Sequence, residues 1–120
     1  MSKFLELPEE QVLYRGEYYF IIFDGSPLSE GHCLIISNEA KETYFDLSEE
    51  EKRALPEMID KSKDIIENKF SPDGYNIGMN CGAAAGQTVM HFHCHVIPRY
   101  QGDTVDPSGG MRGIIPGKQS

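Results

Sequence analysis

The stretch "HFHCHVIPR", residues 91–99, contains three of the four histidines of the chain, and they occupy alternate positions. Successive side chains of a β-strand point to opposite faces of a sheet, so a strand would gather these imidazoles on one face. The intervening residues are apolar and would lie on the other face. The spacing therefore predicts a strand with one polar face, formed by His91, His93 and His95, and one buried face, formed by Phe92, Cys94 and Val96.

Short β-rich segments precede this strand and indicate an antiparallel meander. Residues 12–15 and 18–23 of "QVLYRGEYYFIIFD" are separated by a Gly-Glu pair, which suits a hairpin. A third run, "HCLIIS", covers residues 32–37. A fourth, "YNIGMNC", covers residues 75–81 and alternates apolar with polar side chains. We expect this fourth strand to turn its apolar side chains towards the core: Tyr75, Ile77, Met79 and Cys81.

The segment after residue 47 predicts one long amphipathic helix. Ser48 and Glu51 form the Ser-x-x-Glu pattern of a capping box at its start. Pro56 lacks a backbone donor, so it should lie in the first turn or kink the helix. The apolar face then follows the helical period: Leu55, Met58, Ile59, Ile65 and Ile66.

Length and composition limit the classes of protein that fit. A chain of 120 residues, 39% hydrophobic, has room for one ordinary domain, so we expect a single domain over residues 1–120. The formal net charge of −8 disfavours binding along a nucleic-acid backbone. No apolar run approaches the ~20 residues that cross a bilayer, and the N-terminus does not resemble a signal peptide. We therefore expect a soluble cytoplasmic protein with neither a nucleic acid nor a membrane as partner.

The cysteines give no sign of a disulfide framework or of a four-cysteine zinc site. Cys33, Cys81 and Cys94 are widely spaced, form no Cys-x-x-Cys pair and lie within apolar runs. Buried, reduced thiols are the expectation.

Three interpretations fit a row of alternating histidines. The imidazoles could hold a metal ion, although side chains in a straight row diverge from one tetrahedral centre. One neutral imidazole could instead attack phosphorus while its neighbours orient it. The third interpretation is a polar strand face without chemistry. The preceding "AAAGQT" favours a phosphate ligand, because its small residues, Gly86 among them, allow close approach, and Gln87 and Thr88 offer side-chain donors.

The stretch "NCGAAAGQTVMHFHCHVIPR" resembles the signature of the histidine triad (HIT) superfamily of nucleotide hydrolases and transferases. "FDGSPLSEGHCLIIS" is similar to the upstream segment of that family, and "GGMRGIIPGKQ" is similar to the tail of many bacterial members. The resemblance implies an α+β fold, in which one long helix packs on one face of an antiparallel sheet of about five strands. It also implies a homodimer whose sheets continue across the interface, for which "YFIIF" and the region around Met58 would supply apolar contacts.

The resemblance assigns catalytic roles to the histidines. His93 would be the nucleophile that carries the nucleoside monophosphate, and His91 would hold it through the local hydrogen-bond network. His95 and the distant His32 would stabilise the phosphate and its developing charge. Thr88 would bind phosphate and assist the leaving group.

The resemblance also implies a nucleotide site around this catalytic row. Asp24 would bind the ribose hydroxyls. Gln87, like Thr88, would bind phosphate and assist the leaving group, and Asn80 would support the same pocket. The apolar run that contains Tyr19, Ile21, Ile22 and Phe23 would form one wall of a purine-base site. Within this run, Ile22 and Phe23 are the residues expected to contact the base. Arg112 would reach an extended polyphosphate, although a solvated tail residue is an equally good interpretation.

Two departures from the family pattern bear on cofactors and on the core. The zinc-binding Cys-x-x-Cys of some bacterial relatives is absent, so we expect no metal site and no tightly bound cofactor, with Mg²⁺ arriving only as a companion of a polyphosphate. Cys94 replaces an aliphatic residue and suits a small buried position.

The function that follows is a nucleotidyl hydrolase. We expect it to release a nucleoside monophosphate from a dinucleoside polyphosphate such as diadenosine tetraphosphate, through a covalent nucleotidyl-histidine. Nucleoside phosphoramidate hydrolase and nucleotidyltransferase activities remain alternatives within the same family. A nucleotide-binding regulatory dimer and a metal-dependent hydrolase are alternatives of other classes.

Overall fold

The computed structural model describes residues 2–118, and Gln119, the last residue of the family-like tail, lies outside this range. Five antiparallel strands form one sheet in the order β1-β2-β3-β5-β4. Their bounds are β1 Val12–Arg15, β2 Tyr19–Phe23, β3 Cys33–Ser37, β4 Gly74–Gly78 and β5 His93–Arg99. One long helix, α1 Glu49–Glu67, lies between β3 and β4 in the chain. The α+β class with five strands and one helix is therefore confirmed.

The helix starts where the capping box predicts. The Ser48 hydroxyl accepts a hydrogen bond from the Glu51 main-chain N–H, and the Glu51 carboxylate accepts one from the Ser48 N–H. Pro56 lies beyond the first turn, inside the helix, on its solvent-exposed side. Water can therefore satisfy the carbonyl of Lys52, which loses its helical donor at Pro56.

The two faces of the sheet carry separate apolar clusters. The helix packs on one face, where Leu55, Met58 and Ile66 contact the buried side chains of β2, β3 and β5. The opposite face is covered by the N-terminal segment, because Phe4 packs with Phe20, Ile22, Leu34 and Ile36. The alternation of β5 follows this division, since Phe92, Cys94 and Val96 face the helix.

Two sequence expectations need correction in β4. The ladder with β5 ends at the Gly78–His95 pair, so the strand stops before Cys81 and the chain then turns through Gly82. Ile77 is 45% exposed rather than buried, because β4 is an edge strand that the helix does not fully cover.

The expected dimer surface also needs correction. "YFIIF" forms β2, whose first four side chains are buried, and Met58 lies in the helix-side core. The first four side chains of β2 and the side chain of Met58 are therefore not exposed to contact a second copy. Cys33 and Cys94 are buried and Cys81 is half-buried, and all three are free thiols. No helix within residues 2–118 is both long and apolar enough to cross a bilayer.

Candidate active site

The sheet brings together three of the four histidines on the face opposite the helix. His93 and His95 project from β5, with their ring centroids 5.2 Å apart. His32, which immediately precedes β3, reaches the same place because β3 and β5 are neighbours in the sheet. Its Nε2 lies 2.9 Å from Nδ1 of His95. The residues that the motif predicts therefore meet across two strands.

The hydrogen bonds of His93 determine which of its nitrogens can react. Nδ1 lies 2.8 Å from the main-chain carbonyl oxygen of His91. A carbonyl only accepts, so Nδ1 carries the proton and donates. In the neutral ring, Nε2 then keeps its lone pair. The ring of Phe4 packs against His93 with centroids 5.1 Å apart and holds the imidazole in place.

The pair His32–His95 has one allowed arrangement of protons. The main-chain N–H of Leu28 donates to Nδ1 of His32, so a neutral His32 carries its proton on Nε2. That proton points to Nδ1 of His95, which must accept. His95 is left with its own proton on Nε2 and serves as a neutral donor.

Burial keeps these two rings neutral. The pKa of His95 is lowered to about 4, first because burial disfavours the imidazolium ion and then because His93 and His32 would repel it. The Asp24 carboxylate acts in the opposite direction but does not reverse the shift. Burial also lowers the pKa of His32, again against the effect of Asp24. These two rings therefore act as hydrogen-bonding groups rather than as cations.

His91 has a different position from the other triad members. It is fully buried, precedes β5, and donates from Nε2 to the carbonyl oxygen of Ser37 at 2.8 Å. Its Nδ1 has no hydrogen-bond partner among residues 2–118. Since its ring lies away from the open cavity while its carbonyl accepts from His93, His91 is a positioning residue rather than a group that touches the substrate.

A central cavity of about 300 Å³ opens beside His93 and His95. Asn80, Gly86 and Thr88 border it, as the sequence predicted for phosphate contacts. Gly86 has a φ of +94°, a conformation that favours glycine, where the chain leaves the short 3-10 helix Ala83–Ala85. The loop before β5 therefore places small and polar groups next to the nucleophile.

Gln87 differs from its predicted role. Its Oε1 accepts from the Gly82 N–H, and its Nε2 donates to the carbonyl oxygens of Glu42 and Val89. The side chain is buried, and all of its amide groups have protein partners. Gln87 thus stabilises the loop from inside instead of donating to a ligand. This corrects its predicted role, because the residue type alone does not show that its amide already has protein partners.

A second cavity, here the N-terminal cavity, adjoins the central one and measures about 260 Å³. Ile22 and Asp24 border it, together with Phe4, Leu7 and Leu34, which the sequence analysis did not select. Phe4 and Leu7 are apolar residues three positions apart, but this spacing does not indicate which surface they cover. Of the four predicted wall residues of β2, Ile22 and Phe23 border the cavity, although Phe23 also packs against the helix-side cluster that contains Tyr19 and Ile21.

Asp24 lies where the two cavities meet. Its Oδ1 accepts from the Ser26 N–H, and its Oδ2 is 3.4 Å from Nε2 of His32. Arg112 lies in the exposed 3-10 helix Gly110–Ile114, and the central cavity is lined by other residues. Its contact with a polyphosphate stays a prediction.

Asp24, His32 and His95 also form a cluster whose ligand atoms lie within 4.8 Å of one another. A metal would need the lone pair of Nε2 on His32, but the Leu28 N–H places the ring proton on that nitrogen. The donor set therefore fits a chain of hydrogen bonds better than a metal ion.

This arrangement agrees with the comparison to known families. The HIT domain model matches residues 6–102. The chain belongs to the HIT family. The resemblance inferred from the histidine motif is confirmed.

Known HIT proteins match over most of this chain. A HIT-like protein of Methanocaldococcus jannaschii is 35% identical over 82% of this chain and 74% of its own length. The asymmetrical bis(5'-nucleosyl)-tetraphosphatase of Schizosaccharomyces pombe is 38% identical over 78% of this chain, but the match spans only 51% of that enzyme. A HIT family crystal structure from Bacillus anthracis has a TM-score of 0.72 and 35% identity, covering 78% of this chain and 66% of that one. This HIT protein thus matches a named tetraphosphatase over about half of that enzyme's length.

Proposed function

We propose that this HIT protein is a nucleotidyl hydrolase that cleaves dinucleoside polyphosphates, such as diadenosine tetraphosphate, through a covalent nucleotidyl-histidine. The observation that carries the proposal is the hydrogen bond from Nδ1 of His93 to the His91 carbonyl oxygen, which leaves Nε2 as a nucleophile beside the central cavity. The relative named as a bis(5'-nucleosyl)-tetraphosphatase supports the substrate class.

The reaction takes place in two displacements at phosphorus. Nε2 of His93 donates its lone pair to the α-phosphorus, an N–P bond forms, and the P–O bond to the leaving polyphosphate breaks. The imidazolium formed keeps its Nδ1 proton on the His91 carbonyl oxygen. The oxygen of a water molecule then forms a bond to phosphorus, and the N–P bond to His93 breaks. The attacking water gives up one proton to solvent, and a nucleoside monophosphate is released.

Preorganised donors stabilise the charge on the phosphoryl oxygens during both steps. His95 donates from Nε2, and His32 keeps it in that tautomer. Thr88, Asn80 and Gly86 border the same space and complete the phosphate contacts. Such donors cost little reorganisation because the fold already holds them in place.

The transferred nucleotide fits the two joined cavities. A purine base lies in the N-terminal cavity against Phe4, Ile22 and Leu34, and Asp24 binds the ribose hydroxyls between base and phosphate. The carboxylate has an ordinary hydrogen-bonding role there, since hydroxyls are donors that it can accept from.

A nucleoside phosphoramidate hydrolase is the second candidate, and one observation favours it. The cavity on the far side of His95 is lined, among residues 2–118, by apolar and neutral side chains without lysine or arginine. An amine leaving group needs no cationic partner, whereas a polyphosphate does. The same His93 chemistry would then act on a P–N bond.

We also propose a homodimer formed through β4, the edge of the sheet at which Ile77 is exposed. Pairing of two such edges would continue the sheet and cover unpaired main-chain groups. Free thiols at all three cysteines suit a reducing compartment, so we place the protein in the cytoplasm, with nucleotides rather than nucleic acids or membranes as its ligands.

The test compares products from diadenosine tetraphosphate and adenosine 5′-phosphoramidate by chromatography, using wild-type protein and His93→Asn. We expect AMP and ATP from the first substrate, and a loss of at least about 10³-fold in kcat/KM in the variant with nucleotide binding retained. Mass spectrometry after alkaline denaturation should find an adenylyl adduct in the wild type alone. Full turnover by His93→Asn would overturn the mechanism.

A further inference from the structure

Lys3 is the one lysine or arginine, among residues 2–118, that borders the two cavities assigned to the nucleotide. It lines both the N-terminal and the central cavity, and so lies on the path from base to phosphate. Asp24, which the proposed function places at the ribose, is the one carboxylate residue that lines both. A cation and a carboxylate therefore share the junction of the two cavities.

The backbone around Lys3 is held close to the catalytic strand. Lys3 is the first residue of the short 3-10 helix Lys3–Glu6, in which the Ser2 hydroxyl accepts a hydrogen bond from the Phe4 N–H at 3.2 Å. The Phe4 side chain is buried, and its ring packs against that of His93. The main chain of Lys3 is therefore anchored beside the nucleophile by its neighbour, while its own side chain is exposed.

Lys3 differs from most other cations of the chain in its contacts. Its side chain has no ion pair, hydrogen bond or ring contact within residues 2–118. Five others form ion pairs with carboxylates: Arg15, Lys41, Arg53, Lys63 and Arg99. Three more lie over aromatic rings: Lys52, Lys61 and Lys69. The Lys3 ammonium is therefore available to an anionic ligand, for which it can supply charge-assisted hydrogen bonds.

The charges around the central cavity show why a bound nucleotide needs this ammonium. The phosphate is anionic, and the Asp24 carboxylate has the same sign, so the two repel each other. His95 does not offset the repulsion, because burial and the neighbouring histidines lower its pKa to about 4 and leave it neutral. The net charge of −8 disfavours an anionic ligand further. Lys3 supplies the opposite charge at this junction.

We infer that Lys3 is a substrate-binding residue whose ammonium pairs with the non-bridging oxygens of the transferred phosphate. The inference rests on the proposed function for the place of the nucleotide, with the base in the N-terminal cavity and the phosphate in the central one. It adds a cation to phosphate contacts that otherwise come from neutral donors. Because the contact belongs to the transferred half of the substrate, it acts equally on polyphosphate and phosphoramidate substrates.

Binding of AMP and of adenosine to the whole chain isolates this contact from turnover. The two ligands differ only in the phosphate, so the ratio of their dissociation constants, measured by calorimetry, reports the phosphate contacts. We expect Lys3→Gln to reduce the preference for AMP about 10-fold, and Lys3→Arg to retain most of it. The wild-type preference should also fall as NaCl rises from about 20 to about 500 mM, whereas that of Lys3→Gln should change less.

Lys63→Gln is the matched control for the loss of one positive charge. Lys63 is exposed on α1, which packs on the opposite face of the sheet, and it pairs there with Glu67 at 3.0 Å. Its replacement changes the net charge as Lys3→Gln does, but leaves the walls of both cavities unchanged. It should keep the wild-type preference for AMP.

Kinetics on two substrates then locate the contact on one half of the substrate. Diadenosine tetraphosphate and adenosine 5′-phosphoramidate carry the same adenylyl group and different leaving groups. Lys3→Gln should lower kcat/KM for both by a similar factor of about 10. A loss confined to the tetraphosphate would place the ammonium on the leaving polyphosphate and overturn the assignment.

The remaining outcomes separate this inference from the proposed function. An unchanged preference for AMP in Lys3→Gln overturns the inference and leaves the nucleotidyl-histidine mechanism intact. Equal weakening of AMP and adenosine binding also overturns it, because Lys3 would then support only the base site. If the wild type turns over neither substrate, yet Lys3→Gln reduces the preference for AMP, the proposed function fails and the phosphate contact stands. Absence of binding by both ligands overturns the contact and the nucleotide site together.

Discussion

Nε2 of His32 lies 2.9 Å from Nδ1 of His95, and the Leu28 main-chain N–H occupies the other nitrogen of His32. Because an N–H can only donate, the direction of the whole chain of hydrogen bonds is determined by one backbone amide. The Leu28 amide, acting through His32, thereby positions the proton on Nε2 of His95, which faces a substrate phosphate.

The tautomers of the catalytic histidines should be observable directly. We expect long-range ¹H–¹⁵N correlation spectra at neutral pH to report His95 protonated on Nε2, because His32 donates to its Nδ1, and His93 protonated on Nδ1, because the His91 carbonyl oxygen accepts there. A His95 ring protonated on Nδ1 would contradict the proposed hydrogen-bond chain.

Replacement of His32 should reduce catalysis without removing the nucleophile. His32→Ala deletes the donor to His95, so the ring of His95 can change tautomer, and we expect kcat/KM to fall about 10- to 100-fold. His32→Gln is the conservative control, because its amide can occupy the position of Nε2 and donate, and it should recover part of the loss. Equal activity in both variants would show that the donor has no role.

The stability of the protein should depend on pH through His95. Its pKa is near 4 when folded and about 6.5 when unfolded, so between these values the unfolded chain binds a proton that the folded chain does not. Stability from this residue is thus complete above pH 6.5 and is lost as the pH falls towards 4, by at most about 3 kcal/mol.

Urea unfolding at pH 7 and pH 4.5 measures this effect, with His95→Asn as the comparison. The variant should lose less stability than the wild type over the same interval, because it has no imidazole to titrate at that position. Parallel losses in the two proteins would assign the acid sensitivity to other groups.

Gln87 and Thr88 are neighbours with different expected roles. Gln87→Ala removes three hydrogen bonds inside the loop, so we expect the free energy of unfolding to fall by about 2 kcal/mol and activity to fall with it. Thr88→Ala should change stability by less than about 0.5 kcal/mol, since Thr88 is exposed, yet should lower kcat/KM. Denaturant unfolding and kinetics on the same preparations separate the two effects.

Phe4 should link nucleotide binding to the position of His93. Phe4→Ala opens the N-terminal cavity and removes the ring that packs on His93, so we expect KM to rise and the protein to lose about 3 kcal/mol of stability. Phe4→Leu, which keeps an apolar side chain there, should retain most of the stability. An unchanged KM in both variants would exclude Phe4 from the base site.

The sequence predicted elements whose signals are local. The alternation from His93 onwards, the Ser48–Glu51 capping box and the first hairpin were found where the patterns indicated, whereas His91 lies before the strand that it was predicted to join. Contacts between distant segments were not predictable in the same way. Nothing near Phe4 indicates that the N-terminus folds back onto β5, and nothing near Gln87 reveals a partner 45 residues earlier at Glu42. "YFIIF" was assigned to an interface because an apolar run alone does not distinguish a core from a contact surface.

The alternation along β5 also separates two kinds of tolerance to mutation. Cys94 and Val96 contact the helix-side core, whereas His93, His95 and Ile97 border the cavities. A substitution at Cys94 or Val96 should therefore change thermal resistance. A substitution at His93, His95 or Ile97 should instead change reactivity or selectivity. Directed evolution of such a strand could redirect its substrate range at Ile97 while the hidden side continues to hold the domain together.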